Sequence, residues 1–280
     1  GESDTLPTSA LTPSDLQFES PYSNYSLSFD GADTKLSFSD ITLASSYTLS
    51  AWAKRTSSSN NEFLFGNGAT YGYGAYFNGT TAIYFKQDSG NTTFNNSAIT
   101  TALARTDWVN WMFVKDSTAG TISIYVDGAL AQSVTSALGM TSINTIGGDG
   151  TAATSYIWNG NIDEVAIWGS PLTQAQVSQV YNNGYPGNLT SLSPSNWWRL
   201  GEDAYFVGND ITIPNQITGG PTGTGSGTQT AFLVGDAPGS YANGSGTNLV
   251  VTDRIGDAPE STANSVSINM IPSNRHSYPA

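Results

Sequence analysis

Acidic side chains are the residues of this sequence best suited to catalyse a hydrolysis, and Asp163 and Glu164 are the most prominent pair. Glycosidases cleave sugars with two carboxylates that flank one glycosidic bond. On a β-strand, both carboxylates must therefore point to the same face. Adjacent residues of a strand point to opposite faces, and Asp163 and Glu164 are adjacent. The spacing predicts no glycosidase pair here.

Three other kinds of site are also disfavoured. The sequence has one histidine, His276, in a Pro- and Ser-rich C-terminal stretch. Ser-His-Asp catalysis and a His-rich metal site are therefore nearly excluded. The glycines near Gly223 neither follow a predicted strand nor open a helix, so they predict no nucleotide site. We expect a protein that is not an enzyme.

Aromatic side chains offer binding chemistry instead. Tyr71, Tyr73 and Tyr76 fall in a Gly-rich segment, and Trp158 precedes a predicted strand. Exposed rings can stack on the apolar faces of sugars, which makes these four residues candidates for carbohydrate binding. The alternative is that strand alternation turns the tyrosines toward the core. Trp158 is open to both interpretations.

The composition limits the possible partners. Net charge is −13, and the 9 basic residues are spread thinly along the 280 positions. Binding of nucleic acid or of an anionic membrane surface needs a basic patch, which this sequence does not predict. The negative balance fits cation binding or simple solubility. The sequence also has no cysteine and no apolar run near the roughly 18 residues of a membrane span.

Short strands separated by turns must position these side chains. The dipeptides Asp127-Gly128 and Asn159-Gly160 are hairpin signals, because both residue types tolerate a positive φ. Residues 1–21 are polar and Pro-punctuated, and we interpret them as an extended N-terminal arm. Strand-like runs occupy Tyr47–Ala53, Ala82–Phe85, Trp108–Val114, Thr121–Val126 and Ile162–Trp168.

One short helix follows the last of these runs. Thr173 and Gln176 have the spacing of a capping box, in which each side chain satisfies an amide of the first turn. Gly184 stands at the C-cap position. Many strands, regular turns and one helix predict an all-β, two-sheet sandwich.

The sequence changes character after residue 187. A strand-like segment at 197–202 precedes a Gly-rich stretch at 219–230 with the composition of a linker. Two copies of Gly-Asp-Ala-Pro follow at 235–238 and 256–259. They begin two repeats, 235–249 and 256–270, that are identical at eight of fifteen aligned positions. This tail is too polar to bury a core alone, so its own domain or a neighbouring chain must hold it. The candidate assembly residues are Trp197, Trp198, Asp236, Pro238, Asp257 and Pro259.

These segments together resemble the laminin-G-like, concanavalin-A-like jelly-roll family, in its bacterial and phage branch. The matching pieces are Phe29-Asp30-Gly31, the Tyr47–Trp52 run, the Trp108 strand, Ile124–Gly128, Ile146–Gly148 and the strand-to-helix block around Asp163. The resemblance implies an antiparallel jelly-roll sandwich over residues 22–187 and a C-terminal extension over 188–280.

The resemblance also implies a metal. Many family members carry one structural calcium near their first and last strands, which makes Asp30, Asp33 and Asp163 candidate ligands through hard oxygen atoms. The alternative is that Asp30 makes an Asp-Gly turn and that Asp163 caps a strand end.

The sequence departs from the family at one strand. In many relatives a Trp-x-Leu-x-Glu strand precedes the Phe-Asp-Gly strand, whereas here the similar segment Trp198–Glu202 follows the helix. We hypothesise that it completes the sandwich from the C-terminal side. It would do so in its own subunit or, by strand exchange, in a neighbour.

Family members serve in several functional classes, and two of them lead here. The first is a structural subunit of an extracellular particle or filament, above all a phage virion surface protein, whose tail binds copies of itself or other particle subunits. The alternative is a secreted or cell-surface lectin-like module that binds glycan. A protein-binding adhesion module is a third option.

Overall fold

Two antiparallel β-sheets pack face to face in the computed structural model of this protein, so the predicted jelly-roll sandwich is confirmed. The structure describes residues 22–68, 73–87, 90–150, 156–207, 210–226, 233–234 and 236–238. The predicted N-terminal arm, Tyr71, Asp257 and Pro259 lie outside the described residues.

The first sheet, sheet A, has seven strands side by side and an eighth on one flank. In spatial order the seven are β10 (Ala129–Thr135), β9 (Thr121–Val126), β8 (Val109–Asp116), β3 (Tyr47–Arg55), β12 (Asn159–Trp168), β1 (Ser26–Asp30) and β17 (Leu233–Val234). The eighth, β13 (Asn196–Trp198), pairs with the second half of β12, while β1 pairs with the first half. The pair of β1 and β17 is antiparallel, with Ser26 opposite Val234.

The second sheet, sheet B, has nine strands. In spatial order they are β14 (Tyr205–Val207), β15 (Asp210–Ile213), β16 (Gly223–Ser226), β2 (Lys35–Thr42), β11 (Ser142–Ile146), β4 (Asn61–Asn67), β5 (Tyr73–Asn78), β6 (Ala82–Gln87) and β7 (Gly90–Phe94). Strands from both ends of the described chain therefore lie side by side in each sheet.

The predicted helix is present as α2 (Gln174–Tyr181). Its capping box is confirmed, since Gln176 Oε1 accepts the amide of Thr173 at 2.9 Å and Thr173 Oγ1 accepts that of Gln176. A second helix, α1 (Ser97–Leu103), adds to the predicted one, and two 3-10 turns follow α2 at Asn182–Gly184 and Thr190–Leu192. Across the described ranges, no helix has both the length and the apolar character that a membrane crossing requires.

The main core lies between the sheets. Edge-to-face aromatic contacts run through it, with Phe77 5.0 Å from Trp111 and 5.3 Å from Trp158 between ring centroids. A second core lies on the outer face of sheet A, where α2 packs Val177 and Val180 against Trp168. This face of the sandwich is thus covered by helix and loop.

The C-terminal segment contributes strands to both sheets. Trp198 in β13 is fully buried, stacks on Phe38 with centroids 4.8 Å apart, and donates its indole N–H to the Pro221 carbonyl at 3.0 Å. Of the hypothesised segment 197–202, only Trp197 and Trp198 lie in a strand, β13, which pairs with β12 of the same chain. The sandwich therefore extends past the expected boundary at residue 187.

Two expectations from glycine-rich sequence are wrong. Part of the expected linker at 219–230 forms β16, where a Cβ on Gly225 would lie 2.4 Å from the Ile211 side chain. Asn159-Gly160 begins β12 rather than turning a hairpin, and a Cβ on Gly160 would lie 2.0 Å from the Lys54 carbonyl oxygen. Both glycines permit close packing. Asp127-Gly128 does turn between β9 and β10, with φ of 49° and 76°.

Candidate functional site

An aromatic patch lies on the face of sheet B that points away from the core. On β5, Ala75 and Phe77 belong to the core, so the alternating Tyr76 points outward. Tyr84 on β6 is directly opposite Tyr76 in the strand register. The aromatic patch consists of Phe63, Tyr76, Tyr84, Lys86 and Tyr156.

The rings of the aromatic patch form a continuous surface. Tyr76 stacks on Tyr84 with centroids 6.0 Å apart and planes 15° apart, and it meets Tyr156 edge to face at 5.5 Å. Phe63 lies beneath, 4.9 Å from Tyr76. Lys86 places its ammonium nitrogen 4.6 Å from the centroid of Tyr76. The patch therefore combines apolar ring faces with one cation and three phenol hydroxyls.

Tyr156 is held in an uncommon backbone conformation at the edge of this patch. Its φ is 64°, in the left-handed region, and its carbonyl accepts the Phe63 amide at 2.9 Å. Such a conformation costs on the order of 1–3 kcal/mol in a residue other than glycine. The ring is 47% exposed, whereas Tyr76 is only 8% exposed. The backbone thus presents one accessible ring above a buried aromatic base.

Burial raises the pKa of Tyr76, and the nearby phenols of Tyr156 and Tyr84 raise it further. The Tyr76 phenol therefore keeps its proton through neutral and mildly alkaline pH. A protonated phenol can donate a hydrogen bond to a hydroxylated ligand.

The predicted sugar-binding residues have different locations. Tyr76 belongs to the aromatic patch, but Tyr73 is half-buried on the opposite side of β5. Trp158 has no exposed surface and donates its indole N–H to the Lys54 carbonyl at 3.3 Å within the core. Sequence reasoning missed Tyr84 and Lys86, although both alternate with the core residues of β6 and so carried a detectable signal.

A group of three carboxylates, two of them buried, lies at sheet A rather than at the sheet that carries the aromatic patch. Asp163, Glu164 and Glu202 each bring a carboxylate oxygen within 4.8 Å of the others. The expectation that Asp163 and Glu164 point to opposite faces is wrong. The register of β12 against β3 shifts after Asp163, and Glu164 takes a left-handed φ of 47°. This bulge turns both side chains to one side.

Each member of this acidic group has protein partners. Asp163 accepts the Ser23 hydroxyl at 2.6 Å, and Glu164 accepts the Trp197 indole N–H at 2.7 Å and Arg199 Nε at 3.1 Å. Burial raises the pKa of Asp163 well above its usual range, and the charges of Glu164 and Glu202 add to this effect. Burial also raises the pKa of Glu164 to about 7, against the lowering influence of Arg199.

The three predicted calcium ligands do not come together. Asp30 Oδ1 accepts the backbone amides of Ala32, Asp33 and Thr34, so it closes the turn after β1. Among the described residues, Asp163 lies near other carboxylates that do not include Asp30 or Asp33. In the part of the chain that the structure describes, the three predicted ligands therefore do not form one cluster of carboxylates. Calcium binding stays a prediction from family resemblance.

The first Gly-Asp-Ala-Pro copy contacts sheet A. Asp236 receives Lys54 Nζ at 2.7 Å and the Trp108 indole N–H at 3.0 Å, and its backbone carbonyl accepts the Ser26 hydroxyl. We call Ser26, Lys54 and Trp108 the tail socket. Pro238 is buried beside it. Of the other assembly candidates, Trp197 is buried under α2 and stacks on Tyr22.

Comparisons with known proteins agree with this fold. A protein from Bacteroides ovatus described as carbohydrate binding is 17% identical, with a TM-score of 0.58; the match covers 77% of this chain and 61% of that one. The chain therefore spans less than two thirds of that protein. A heptameric SAP-like pentraxin from Limulus polyphemus is 14% identical, with a TM-score of 0.42 and coverage of 56% and 82%.

A third solved structure is the CBM40 module of a Ruminococcus gnavus IT-sialidase bound to α2,3-sialyllactose. It is 13% identical, with a TM-score of 0.40 and coverage of 54% and 99%. No curated protein matches the sequence. The model of a laminin-G type family, described as the concanavalin A-like lectin/glucanases superfamily, matches residues 30–178, more than half of the chain. With its two antiparallel sheets and its closing strand-to-helix block, this chain belongs to that superfamily.

Proposed function

We propose that this protein is a non-enzymatic carbohydrate-binding module of the extracellular space and that the aromatic patch is its binding surface. The exposed ring of Tyr156 carries the proposal. Its strained backbone presents a flat apolar face beside Tyr76, Tyr84 and Lys86. Strained residues persist where the surrounding structure over-determines them, often at binding sites.

The patch has the chemistry that a sugar ring requires. One face of a pyranose is apolar and can stack on Tyr156, while its edge hydroxyls need donors and acceptors. Tyr76 lies next to that ring, and Tyr84 and the Lys86 ammonium lie next to Tyr76. The Lys86 ammonium can also pair with an acidic group of a glycan, although the net charge of −13 opposes the approach of anions.

The comparisons support this proposal at the level of the family. The superfamily includes lectins, and the structurally similar Bacteroides ovatus protein is described as carbohydrate binding. The main expectation from sequence, a subunit of a phage virion, has no comparable support. The lectin-like alternative is therefore the leading function.

The test is glycan binding by single-ring variants. Wild-type protein is screened on a glycan array, and the affinity for the best ligand is measured by calorimetry. We expect Tyr156→Ala to weaken glycan binding about tenfold or more, because the variant loses the ring that stacks on the sugar. A tenfold loss of affinity corresponds to about 1.4 kcal/mol. Tyr185→Ala is the matched control, since Tyr185 is 59% exposed and lies outside the patch.

Two outcomes contradict the proposal. Absence of any glycan ligand for the folded wild-type protein removes the function. Equal affinities for wild type and Tyr156→Ala, with a bound glycan, move the site elsewhere on the sandwich.

A structural subunit of an extracellular particle or filament is the second candidate function. The docking of the first Gly-Asp-Ala-Pro copy in the tail socket favours it, because a tail with specific contacts is a means of joining subunits. In this case the native source contains the protein in large regular assemblies, which electron microscopy detects.

A further inference from the structure

The tail socket recognises a short motif that the sequence carries twice. Asp236, Ala237 and Pro238 of the first copy are all half-buried or buried against sheet A. The same Gly-Asp-Ala-Pro occurs again at 256–259, outside the described residues. The chain therefore has two copies of the motif, and its described residues form one socket.

The contacts in the tail socket select for the shared residues of the motif. Both carboxylate oxygens of Asp236 are engaged, one by Lys54 Nζ and the other by the Trp108 indole N–H. A charge-assisted bond and a buried indole donor together favour a carboxylate at this position. Ala237 has no exposed surface, so only a small side chain fits there. Asp257 and Ala258 repeat these two residues.

The residue before the motif is also matched. Val234 pairs with Ser26 in the antiparallel ladder between β17 and β1. The equivalent residue of the second copy is Ile255. Both are β-branched residues, which favour strands, and a ladder uses backbone groups that every sequence supplies. The counterpart of Leu233, the other residue of β17, is Arg254, and its pairing with Leu27 uses backbone groups alone, so the second copy can form the same two-residue ladder and fill the same socket.

We propose that the tail socket receives Asp257-Ala258-Pro259 from a second copy of this chain, by exchange for the first copy. The exchange replaces contacts with equivalent contacts, which makes it a low-cost route to association. The connection between the copies is 17 residues, 239–255, and spans up to about 55 Å when extended. It can therefore reach a neighbouring molecule. This inference does not depend on glycan binding.

Zero-length carbodiimide cross-linking tests the exchange, because it joins an ammonium to a carboxylate only in direct contact. The full chain is used throughout, as an equal mixture of light and ¹⁵N-labelled protein, followed by digestion and mass spectrometry. Asp236→Asn removes the first reactive carboxylate and weakens its docking, while Asp257→Asn leaves the first copy intact. Circular dichroism checks that each variant is folded.

We expect Asp236→Asn to lose the Lys54–Asp236 link and to gain a Lys54–Asp257 link in peptide pairs of mixed isotope. Asp257→Asn retains only the Lys54–Asp236 link, and Lys54→Gln loses both. A Lys54–Asp257 link confined to peptide pairs of one isotope overturns the proposal, because it shows occupation by the chain's own tail. The absence of that link from folded Asp236→Asn also overturns it.

Discussion

Arg199 Nε lies 3.1 Å from Glu164 Oε1, and Arg199 Nη2 lies 3.9 Å from Glu202 Oε2, so one guanidinium faces two carboxylates of the acidic group. Glu164 is almost fully buried, and the ring of Tyr22 covers the guanidinium at 4.1 Å. The residues come from β12 and from the segment after β13. The ion pair therefore ties the predicted C-terminal extension to the centre of sheet A.

Replacing Arg199 with an uncharged residue measures how much its ion pair with Glu164 contributes to the stability of the fold. We expect Arg199→Met to lower the free energy of unfolding by up to about 3–5 kcal/mol at pH 8, because Glu164 is then either a buried carboxylate without a partner charge or must take up a proton. The double variant Arg199→Met, Glu164→Gln should recover part of this loss, since no buried charge remains unpaired. Urea denaturation of wild type, Arg199→Met, Glu164→Gln and the double variant measures both effects. A double variant less stable than Arg199→Met contradicts this assignment.

The acidic group also predicts how stability varies with pH. Because the pKa values of Asp163 and Glu164 are raised in the folded state, the folded protein binds more protons than the unfolded chain between about pH 4 and pH 7. These two groups contribute most to the free energy of unfolding below about pH 4. Their contribution falls as the pH rises through their raised pKa values. Asp163→Asn mimics the protonated acid, so we expect it to flatten this fall and to be more stabilising at pH 8 than at pH 5.

Asp107 provides a control of opposite sign. Hydrogen bonds from Arg105 lower its pKa, so its contribution is present at neutral pH and is lost in acid. Asp107→Asn should therefore differ from wild type less at pH 3 than at pH 7. Thermal or urea unfolding across this pH range checks both variants. If the free energy of unfolding of Asp163→Asn varied with pH in parallel with that of wild type, the role given to the acidic group would be contradicted.

Truncation tests whether the C-terminal strands belong to the folded domain. A chain that ends before Asn196 lacks β13 to β17 and leaves an unfilled space where Trp198 packs against Phe38. Loss of a buried tryptophan alone costs about 3–5 kcal/mol, so we expect this shorter chain to be insoluble or strongly destabilised. A chain that ends at Pro238 retains all five strands and should unfold close to wild type. Equal stability of the two truncations is the result that would refute this interpretation.

The sequence predicts those features that depend on local spacing. The capping box at Thr173 and the turn at Asp127-Gly128 are each determined within a few residues, and the structure has both. The bulge at Glu164 could not be predicted in this way, because strand alternation assumes a regular ladder. Glycine in β16 was equally ambiguous, since both linkers and tightly packed strands favour it.

The aromatic patch illustrates a second limit of sequence reasoning. Tyr76 and Tyr84 come from neighbouring strands, but Tyr156 is far away in sequence and is held beside them by its backbone bond to Phe63 and by ring contacts. Alternation on β5 was sufficient to separate Tyr73 from Tyr76. It could not identify which residue from a distant turn would cover Tyr76.

The register of β1 and β17 has a mechanical consequence. Ser26, at the start of β1, lies opposite Val234, at the end of β17, so both ends of the described chain leave this ladder on the same side. A force that pulls those ends apart acts perpendicular to the strands and opens the hydrogen bonds one after another. Such a force would therefore act first on Asp236 in the tail socket and then separate β17 from β1, before it sheared the longer strands of the sandwich.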